Sequence, residues 1–407
     1  MGEAHDIIAE KRQRAAPGVI PVRVGAQDAI AGGPYQERHH EEARRKCRDR
    51  EDPVPLPAGQ LFELLPGAHE ALDWGRGGHV PGHNSVPMQK IRAAVIGVGY
   101  LGRFHARKYA QAAGCELAAV VDPRQDAREQ LAAELKTRPL SDYRPLLGEV
   151  DAVSVVTPTP AHFANAREFL EGGAHVLVEK PITEAAGQAR ELIALAARQR
   201  LILQVGHLER FNAAILAAMP HLTAPRFVEC HRLAPYRERG TDVNVVLDLM
   251  IHDIDIVQTI VGAPISTIDA IGTPVFSDEI DIANARIRFE NGCVANATAS
   301  RVSLKTERKL RIFEDDAYLS LDLQQKIVTH IRKRATSGVP GELPVSIEEQ
   351  SLDQGDALKA EIDSFLDCIR TGRPPVVSGE AGLTALETAM RITTQVNELL
   401  AARKARA

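Results

Sequence analysis

The sequence predicts an α/β protein in which a doubly wound parallel sheet is followed by an α+β domain with a largely antiparallel open sheet. Two observations predict this fold class. From Lys90 to about residue 210, short apolar runs alternate with stretches of helical spacing, which is typical of a parallel sheet covered on both faces. After Phe211, a long helical stretch leads into successive strands joined by tight turns, and two helices close the chain.

The elements of the first domain follow from runs of four to seven apolar, β-prone residues and from helical spacing between them. The predicted strands are Ile91–Gly97, Glu116–Asp122, Ala152–Thr157, His175–Glu179 and Leu201–Val205. The predicted helices are Leu101–Ala113, Asp126–Lys136, Pro160–Glu171 and Glu184–Arg198.

The second domain is predicted to begin with one helix over Val245–Val261. Asn291-Gly292 is a strong signal for a tight hairpin between two strands. The predicted strands are Ala283–Glu290, Cys293–Ser300, Leu310–Phe313 and Tyr318–Leu321, and the closing helices are Ala357–Thr371 and Glu380–Arg403.

The chain of 407 residues is long enough for two or three domains, and we divide it into 1–87, 88–209 and 210–407. Residues 1–87 hold 9 of the 24 prolines and 11 of the 30 glycines and sustain no period, so we expect a flexible or disordered extension. Met88 directly precedes the first strand and is a candidate true start, which would make the extension an artefact of start-site choice. We therefore expect a chain that begins at Met88 to fold and to function.

Composition excludes several classes of protein. The net charge of −5 gives no reason to bind nucleic acid or an anionic membrane, and no apolar run is long enough to span a bilayer. The five cysteines are scattered and form no Cys-x-x-Cys pair, which indicates a reducing cytoplasm and no cysteine zinc site. We predict a cytoplasmic protein without a bound metal.

A glycine fingerprint follows the first predicted strand and opens the first predicted helix. Its members are Gly97, Gly99 and Gly102, with Tyr100 and Leu101 before the last glycine. Glycines at these places permit a tight turn, a close approach to a pyrophosphate and close packing of the helix on the strand. Backbone N–H groups at the start of that helix then hold phosphates, so a Rossmann dinucleotide site is predicted.

The second predicted strand ends in an acid, Asp122, 25 residues after Gly97. A carboxylate here accepts hydrogen bonds from the adenosine ribose and repels a 2′-phosphate. The sequence therefore favours NAD over NADP, although Arg124 is placed where it would reverse that preference.

Polar residues follow three further strands, at the sheet edge where ligands bind in open α/β folds. They are Thr157, Pro158 and His162 after one strand, Glu179 and Lys180 after the next, and His207, Arg210 and Asn212 after the last. Any one of them has an ordinary structural interpretation, but polar groups at successive strand ends on the cofactor side indicate a site.

The helix predicted at Val245–Val261 carries Asp248 and His252 four residues apart, with Asp255 three residues further on. Residues four apart share a helix face, so this spacing fits either a local Asp–His pair that stabilises the helix or an imidazole base with a carboxylate beside it. It is also compatible with half of a metal site, but no second histidine pair or cysteine accompanies it.

These motifs, in this order, resemble the Gfo/Idh/MocA family of NAD(P)-dependent sugar oxidoreductases from about Ile91 to the C-terminus. The resemblance implies that Lys180 is the catalytic lysine and that His252 and Asp248 are the second catalytic pair. The glycines usual before that Asp in the family are replaced here by Val245, Val246 and Leu247.

Two segments, Gly206–Asn212 and Asp248–Asp255, further resemble the group of UDP-N-acetylglucosamine 3-dehydrogenases. This resemblance implies oxidation of a sugar C3 hydroxyl and a partner aminotransferase that converts the ketone to an amine. His207, Arg210, Arg237 and Arg239 are candidates to meet the diphosphate, although the last two fit a solvated loop equally well. Within the enzymes, a dehydrogenase of a free cyclic polyol such as inositol is the alternative.

A non-catalytic NAD-binding sensor is a second class of function for this fold, but a sensor has no need of Lys180, Asp248 and His252 together. The predicted second sheet has an open face and two edges to protect, and we expect a homodimer or homotetramer to cover them.

Overall fold

A computed structural model describes residues 90–237, 243–335 and 344–406. The expectations for residues 1–87, for a start at Met88 and for Arg239 lie outside the described residues.

The first sheet has six strands, all parallel, in the order β3-β2-β1-β4-β5-β6. The strands are β1 Ile91–Ile96, β2 Cys115–Val121, β3 Arg138–Leu140, β4 Ala152–Val155, β5 His175–Glu179 and β6 Leu203–Gly206. This order reverses direction between β1 and β4, which creates a crevice at the carboxyl ends of these strands. The predicted doubly wound parallel sheet is confirmed.

The helices of this part are α1 Gly102–Gln111, α2 Gln125–Leu135, α3 His162–Glu171 and α4 Ala186–Gln199. They cover both faces of the sheet, so its central strands are buried on both sides; all four residues of β4, for example, are buried. Strand β3 is a correction to the sequence analysis, because its three residues are too few and too exposed to leave an apolar pattern.

The second sheet has eight strands in the order β14-β13-β12-β11-β7-β10-β9-β8. All neighbours are antiparallel except β7 and β10, which run parallel. The strands are β7 Phe227–Leu233, β8 Ile265–Thr273, β9 Ile282–Phe289, β10 Val294–Ser300, β11 Glu307–Phe313, β12 Ala317–Asp322, β13 Ile327–Lys333 and β14 Val345–Ser351. Alternate residues of β9 and β10 are buried, as in a sheet with one covered face. The predicted α+β region is confirmed.

The predicted helix Val245–Val261 is two structures in succession. A π-helical turn covers Val246–Met250, and the α-helix α6 runs over Ile251–Val261. The turn is closed by a bond from the N–H of Ile251 to the carbonyl of Val246, five residues back. A π turn is wider than an α turn and is frequent at functional sites, so the partners of Asp248 and His252 follow from their contacts and not from their spacing.

A short helix, α5 Ala213–Ala218, leads from the first sheet toward the second, and two helices, α7 Ala357–Thr371 and α8 Gly379–Lys404, close the chain. Helix α7 buries Ile362 and Phe365 in the same core as Ala93 and Val95 of β1. The C-terminal part of the chain thus returns to cover the first sheet. The division at residue 210 stays a prediction. None of the described helices combines the length and the apolar character needed to cross a membrane.

Candidate active site

The glycine fingerprint forms the turn between β1 and α1. Gly97 has φ +88, and a Cβ there would lie 2.6 Å from the carbonyl oxygen of Val156. A Cβ on Gly102 would lie 1.8 Å from the carbonyl oxygen of Gly97, so α1 can approach the strand only if this residue is glycine. At Gly99 a Cβ would meet only the Arg124 guanidinium, at 3.9 Å, and would project into the space in front of the turn. This turn fits a dinucleotide pyrophosphate at the start of α1.

Asp122 follows β2 beside this turn and is 5% exposed. Its carboxylate accepts hydrogen bonds from the backbone N–H of Val98 at 3.0 Å and from both the backbone and the guanidinium of Arg124 at 3.0 to 3.1 Å. Burial opposes ionisation, but these bonds outweigh it and hold the pKa of Asp122 below its usual range. Asp122, which favours NAD, and Arg124, which would favour NADP, therefore form an ion pair with each other.

His162 connects the ends of β4 and β5. Its Nδ1 lies 2.9 Å from the carbonyl oxygen of Pro181, and its Nε2 lies 2.8 Å from that of Thr157. Asn165 reaches the Thr157 hydroxyl from the same helix, at 3.3 Å. These contacts fix the loop after β4, which includes Pro158. A direct cofactor contact of His162 stays a prediction.

Lys180 projects from the end of β5 toward the π turn. Its Nζ donates to the carbonyl oxygen of Asp248 at 2.8 Å and lies 3.5 Å from the Asp248 carboxylate. The side chains are 19% and 41% exposed, so this pair sits at the surface of a crevice. The structure thus brings together a lysine from the first sheet and an acid that precedes α6.

His252 is half-buried one turn further along. Its Nδ1 is buried with no hydrogen-bond partner among the described residues, so the Asp248 carboxylate pairs with Lys180 and not with this ring. Burial first, and then the positive charges of Lys180 and Arg232, hold the pKa of His252 well below its usual value. His252 is accordingly a neutral imidazole at neutral pH.

His207, at the end of β6, packs edge-on against His252, with ring centroids 6.3 Å apart. It is 1% exposed, and neither of its ring nitrogens has a hydrogen-bond partner in the part of the chain that the structure describes. Burial lowers the pKa of His207, against the opposing charge of Asp255. Buried polar atoms without a partner mark a place where a polar ligand or water completes the bonding.

Arg210 and Asn212 have structural partners. The Arg210 guanidinium binds the Asp255 carboxylate through two bonds of 2.7 and 3.0 Å. The Asn212 side chain caps α5 by accepting from Ala214 and donates to Glu209. A substrate contact stays a prediction for both residues.

Two polar groups that the sequence analysis did not identify support this region. Arg232 of β7 is 3% exposed and binds both Asp253 and Glu209, at 2.8 to 3.0 Å. His105 of α1 lies behind Lys180 and contacts Glu179. The signal for His105 was present, because Gly102, His105 and Tyr109 share the buried face of α1.

Residues 91–207 match the family described as "Oxidoreductase family, NAD-binding Rossmann fold", and residues 234–399 match its "C-terminal alpha/beta domain". The chain belongs to this family, Gfo/Idh/MocA, as the resemblance predicted. It is an NAD(P)-dependent dehydrogenase that acts on a CH–OH group.

Among curated proteins, the UDP-N-acetylglucosamine 3-dehydrogenase of Acidithiobacillus ferrooxidans is 41% identical over 314 residues, which cover 77% of this chain and 99% of the relative. The scyllo-inositol 2-dehydrogenase (NAD(+)) of Bacillus subtilis is 26% identical and covers 75% and 93%. Among solved structures, UDP-N-acetylglucosamine 3-dehydrogenase GnnA from A. ferrooxidans superposes with a TM-score of 0.73 at 40% identity, covering 76% of this chain and 99% of that one. Scyllo-inositol dehydrogenase from Lactobacillus casei, at 19% identity and a TM-score of 0.64, shares the fold.

Proposed function

We propose that this protein uses NAD to oxidise the C3 hydroxyl of UDP-N-acetylglucosamine to a 3-keto sugar. The relative that carries this activity in its name matches at 41% identity along almost its whole length. The observation that carries the proposal is that Lys180 contacts Asp248 and that His207 packs against His252, with Lys180 and His207 following the carboxyl ends of β5 and β6. These groups are suited to remove a proton from a hydroxyl and to bind the oxygen that results.

The roles of the residues follow from their environments. When bound, NAD supplies the acceptor for the hydrogen that leaves the sugar carbon with its electron pair. His252 is the base that takes the hydroxyl proton, since burial and nearby cations keep its ring neutral. Lys180 donates a hydrogen bond to the same oxygen and stabilises its developing charge. Asp248 orients Lys180 and not His252, which the spacing of Asp248 and His252 predicts as its partner.

We assign the preference for NAD to Asp122. Its buried carboxylate is fixed by Val98 and Arg124 and follows β2, where an acid binds the adenosine ribose in dinucleotide-binding folds. The exposed Arg124 is neutralised by this pairing and is therefore not free to attract a 2′-phosphate. The carboxylate repels that phosphate, so NADP binds more weakly.

The substrate contacts that we propose centre on His207. Its two unpartnered nitrogens lie next to the base, so a polar group of the sugar or its diphosphate would satisfy at least one of them. Arg237 is exposed and remains a candidate for the diphosphate.

A free cyclic polyol is the second candidate, because relatives named inositol 2-dehydrogenases match at lower identity, 26% in two cases. The test is NADH formation with a panel of UDP-sugars and free polyols at equal concentration. We expect turnover with UDP-N-acetylglucosamine and a kcat/KM at least about 100-fold lower with inositol. Turnover of inositol without turnover of any UDP-sugar would leave the proposed dehydrogenase reaction in place but would overturn the proposed substrate.

We further propose that a downstream aminotransferase consumes the ketone and that the protein is a homodimer or homotetramer. One face of the second sheet carries charged and partly exposed side chains, including Glu229, His231 and Arg311, and Ile347 on the edge strand β14 is 64% exposed. A second copy packed on this face would protect the face and the edge together.

A further inference from the structure

Directly behind Lys180 lies a closed group of polar side chains, which we call the buried acid cluster. It comprises His105 of α1, Ser154 of β4, Glu179 of β5, Gln204 of β6 and Glu361 of α7. Each of them is at most 9% exposed, and Glu361 and Gln204 are 0% exposed. Five elements of the fold therefore meet at one polar site that is almost entirely shielded from solvent.

Hydrogen bonds join most of the polar groups of this cluster. His105 lies 3.2 Å from the Ser154 hydroxyl through Nδ1 and 3.1 Å from Glu179 through Nε2. The other Glu179 oxygen accepts from the backbone N–H of Lys180 at 3.2 Å. Gln204 donates its amide to the backbone carbonyl of Glu361, also at 3.2 Å.

Three acceptors of the cluster have no hydrogen-bond partner among the described residues. Both carboxyl oxygens of Glu361 and the amide oxygen of Gln204 are buried without a hydrogen-bond partner. Ligand-type atoms of His105, Glu179 and Glu361 all lie within 4.8 Å of one another. Buried acceptors without a donor are costly and rare, so the cluster needs one more positive group, either a proton or a cation.

We propose that Glu361 is a neutral carboxylic acid at neutral pH and shares its proton with Glu179, so that the cluster is a buried proton-sharing site. The O–H of Glu361 supplies the missing donor. One negative charge then remains on the two carboxyls, and it lies on Glu179, where His105 and the N–H of Lys180 stabilise it.

The direction of the pKa shifts agrees with this assignment. Burial, together with the charge of Glu179, raises the pKa of Glu361 well above its usual value. Burial also opposes ionisation of Glu179, but the hydrogen bond and charge of His105 outweigh it and lower that pKa. Besides these groups Tyr109 faces the cluster; its hydroxyl lies 2.8 Å from Ser154, and burial raises its pKa, so it stays neutral.

A metal ion is the rival occupant, since an imidazole and two carboxylates form a plausible ligand set. Two features favour the proton. His105 already contacts a Glu179 oxygen directly, which uses the nitrogen that a metal would need. Glu361 is also 0% exposed, so an ion would have to reach it through the packed core, whereas a metal site requires an entry path.

The cluster positions Lys180. A Cβ on Gly206 would lie 2.9 Å from the Glu179 carboxyl carbon, so this carboxylate packs directly against the backbone of β6. From there it holds the backbone of Lys180 and the ring of His105, which sits on the helix that begins at the glycine fingerprint. The cluster thereby joins the cofactor turn, the lysine and the C-terminal helix α7.

The test compares Glu361→Gln with Asp363→Asn, a matched control whose exposed ion pair with Lys359 lies on the same helix. A raised pKa means that the folded state binds this proton more tightly, so wild-type stability falls as pH rises from a glutamate's ordinary pKa toward the raised value. Gln is neutral at every pH and keeps N–H donors. We expect the melting temperature of Glu361→Gln to equal that of the wild type near about pH 4 and to exceed it increasingly toward about pH 9.

Infrared spectra of the wild type supply a second readout, and comparison with the variant assigns the band to Glu361. At neutral pH the wild type should show the carbonyl band of a buried neutral carboxylic acid, shifted in D₂O and absent from Glu361→Gln. For the positioning role, Glu361→Ala should lower kcat, and Glu361→Gln should restore most of the loss. Both stability and infrared readouts hold whatever the substrate proves to be.

Three results would overturn the inference. The first is a wild type without the neutral-acid band at neutral pH. The second is a stoichiometric metal in the purified protein whose removal abolishes the stability difference. The third is a Glu361→Gln variant that is equally destabilised at every pH.

Discussion

Replacement of His252 by Gln tests the assignment of the base. Gln preserves an uncharged polar side chain of similar length but cannot take a proton at neutral pH. A positioned general base contributes about 10²- to 10⁴-fold, so we expect kcat to fall by that factor. The loss corresponds to about 3 to 5 kcal/mol of transition-state stabilisation at about 1.4 kcal/mol per decade. NAD affinity should change little, because His252 belongs to α6 of the second domain and not to the glycine turn.

The structure also predicts how the wild-type rate depends on pH. A base must be unprotonated to act, and the pKa of His252 is well below its usual value because of burial and the charges of Lys180 and Arg232. The rate of oxidation should therefore stay constant as pH falls through the ordinary histidine range near about 6.5 and decline only below it. An acid limb at the ordinary value would refute the description of this environment.

The assay is initial-rate NADH formation over a pH series, together with NAD binding and a melting temperature for each variant. His221→Gln is the matched control, since His221 is exposed and lies against His330, with ring centroids 5.0 Å apart. It should retain wild-type turnover. Near-full activity of His252→Gln, with an unchanged pH profile, would remove the residue from the mechanism.

Three further predictions follow from other contacts. Asp122→Ala should weaken NAD binding and free the Arg124 guanidinium for a 2′-phosphate, so the ratio of kcat/KM for NADP to that for NAD should rise; equal ratios in variant and wild type would argue against the pairing. Arg232→Leu leaves Asp253 buried without its cation and leaves Glu209 with only the longer contact to Arg308, so it should cost about 3 to 5 kcal/mol in denaturant unfolding. Light scattering at micromolar concentration should show a dimer or tetramer, and a monomer would contradict the proposed use of the open sheet face.

Much of the first sheet was predictable, because strands buried on both faces leave continuous apolar runs. The bounds of β5 and α7 agree with the sequence prediction to the residue, and α7 is fixed by Asp356 as its N-cap and Gly372 in the left-handed conformation after it. The cofactor turn was predictable for a different reason, since the steric demands at Gly97 and Gly102 admit only glycine.

The contacts at the site were less predictable. The π turn at Val246–Met250 leaves no period in the sequence, and Asp248 within it pairs with Lys180, which follows a strand of the first sheet. The buried acid cluster was also missed, because Glu179 and Glu361 are brought together by the return of α7 to the first sheet. The residue types indicated which side chains can transfer protons or bind charge. Which of these side chains contact one another depends on the folded chain.

The central claim is that Lys180 and His252 act on a UDP-linked sugar at the edge of the first sheet. The most direct measurement is NADH formation from UDP-N-acetylglucosamine by the wild type and by Lys180→Met, with the keto product identified by mass spectrometry. We expect a product two mass units lighter than the substrate and a loss of kcat of about 10²- to 10⁴-fold in the variant, with NAD binding retained. Turnover by Lys180→Met at the wild-type rate, or no oxidation of any UDP-sugar by the wild type, would contradict it.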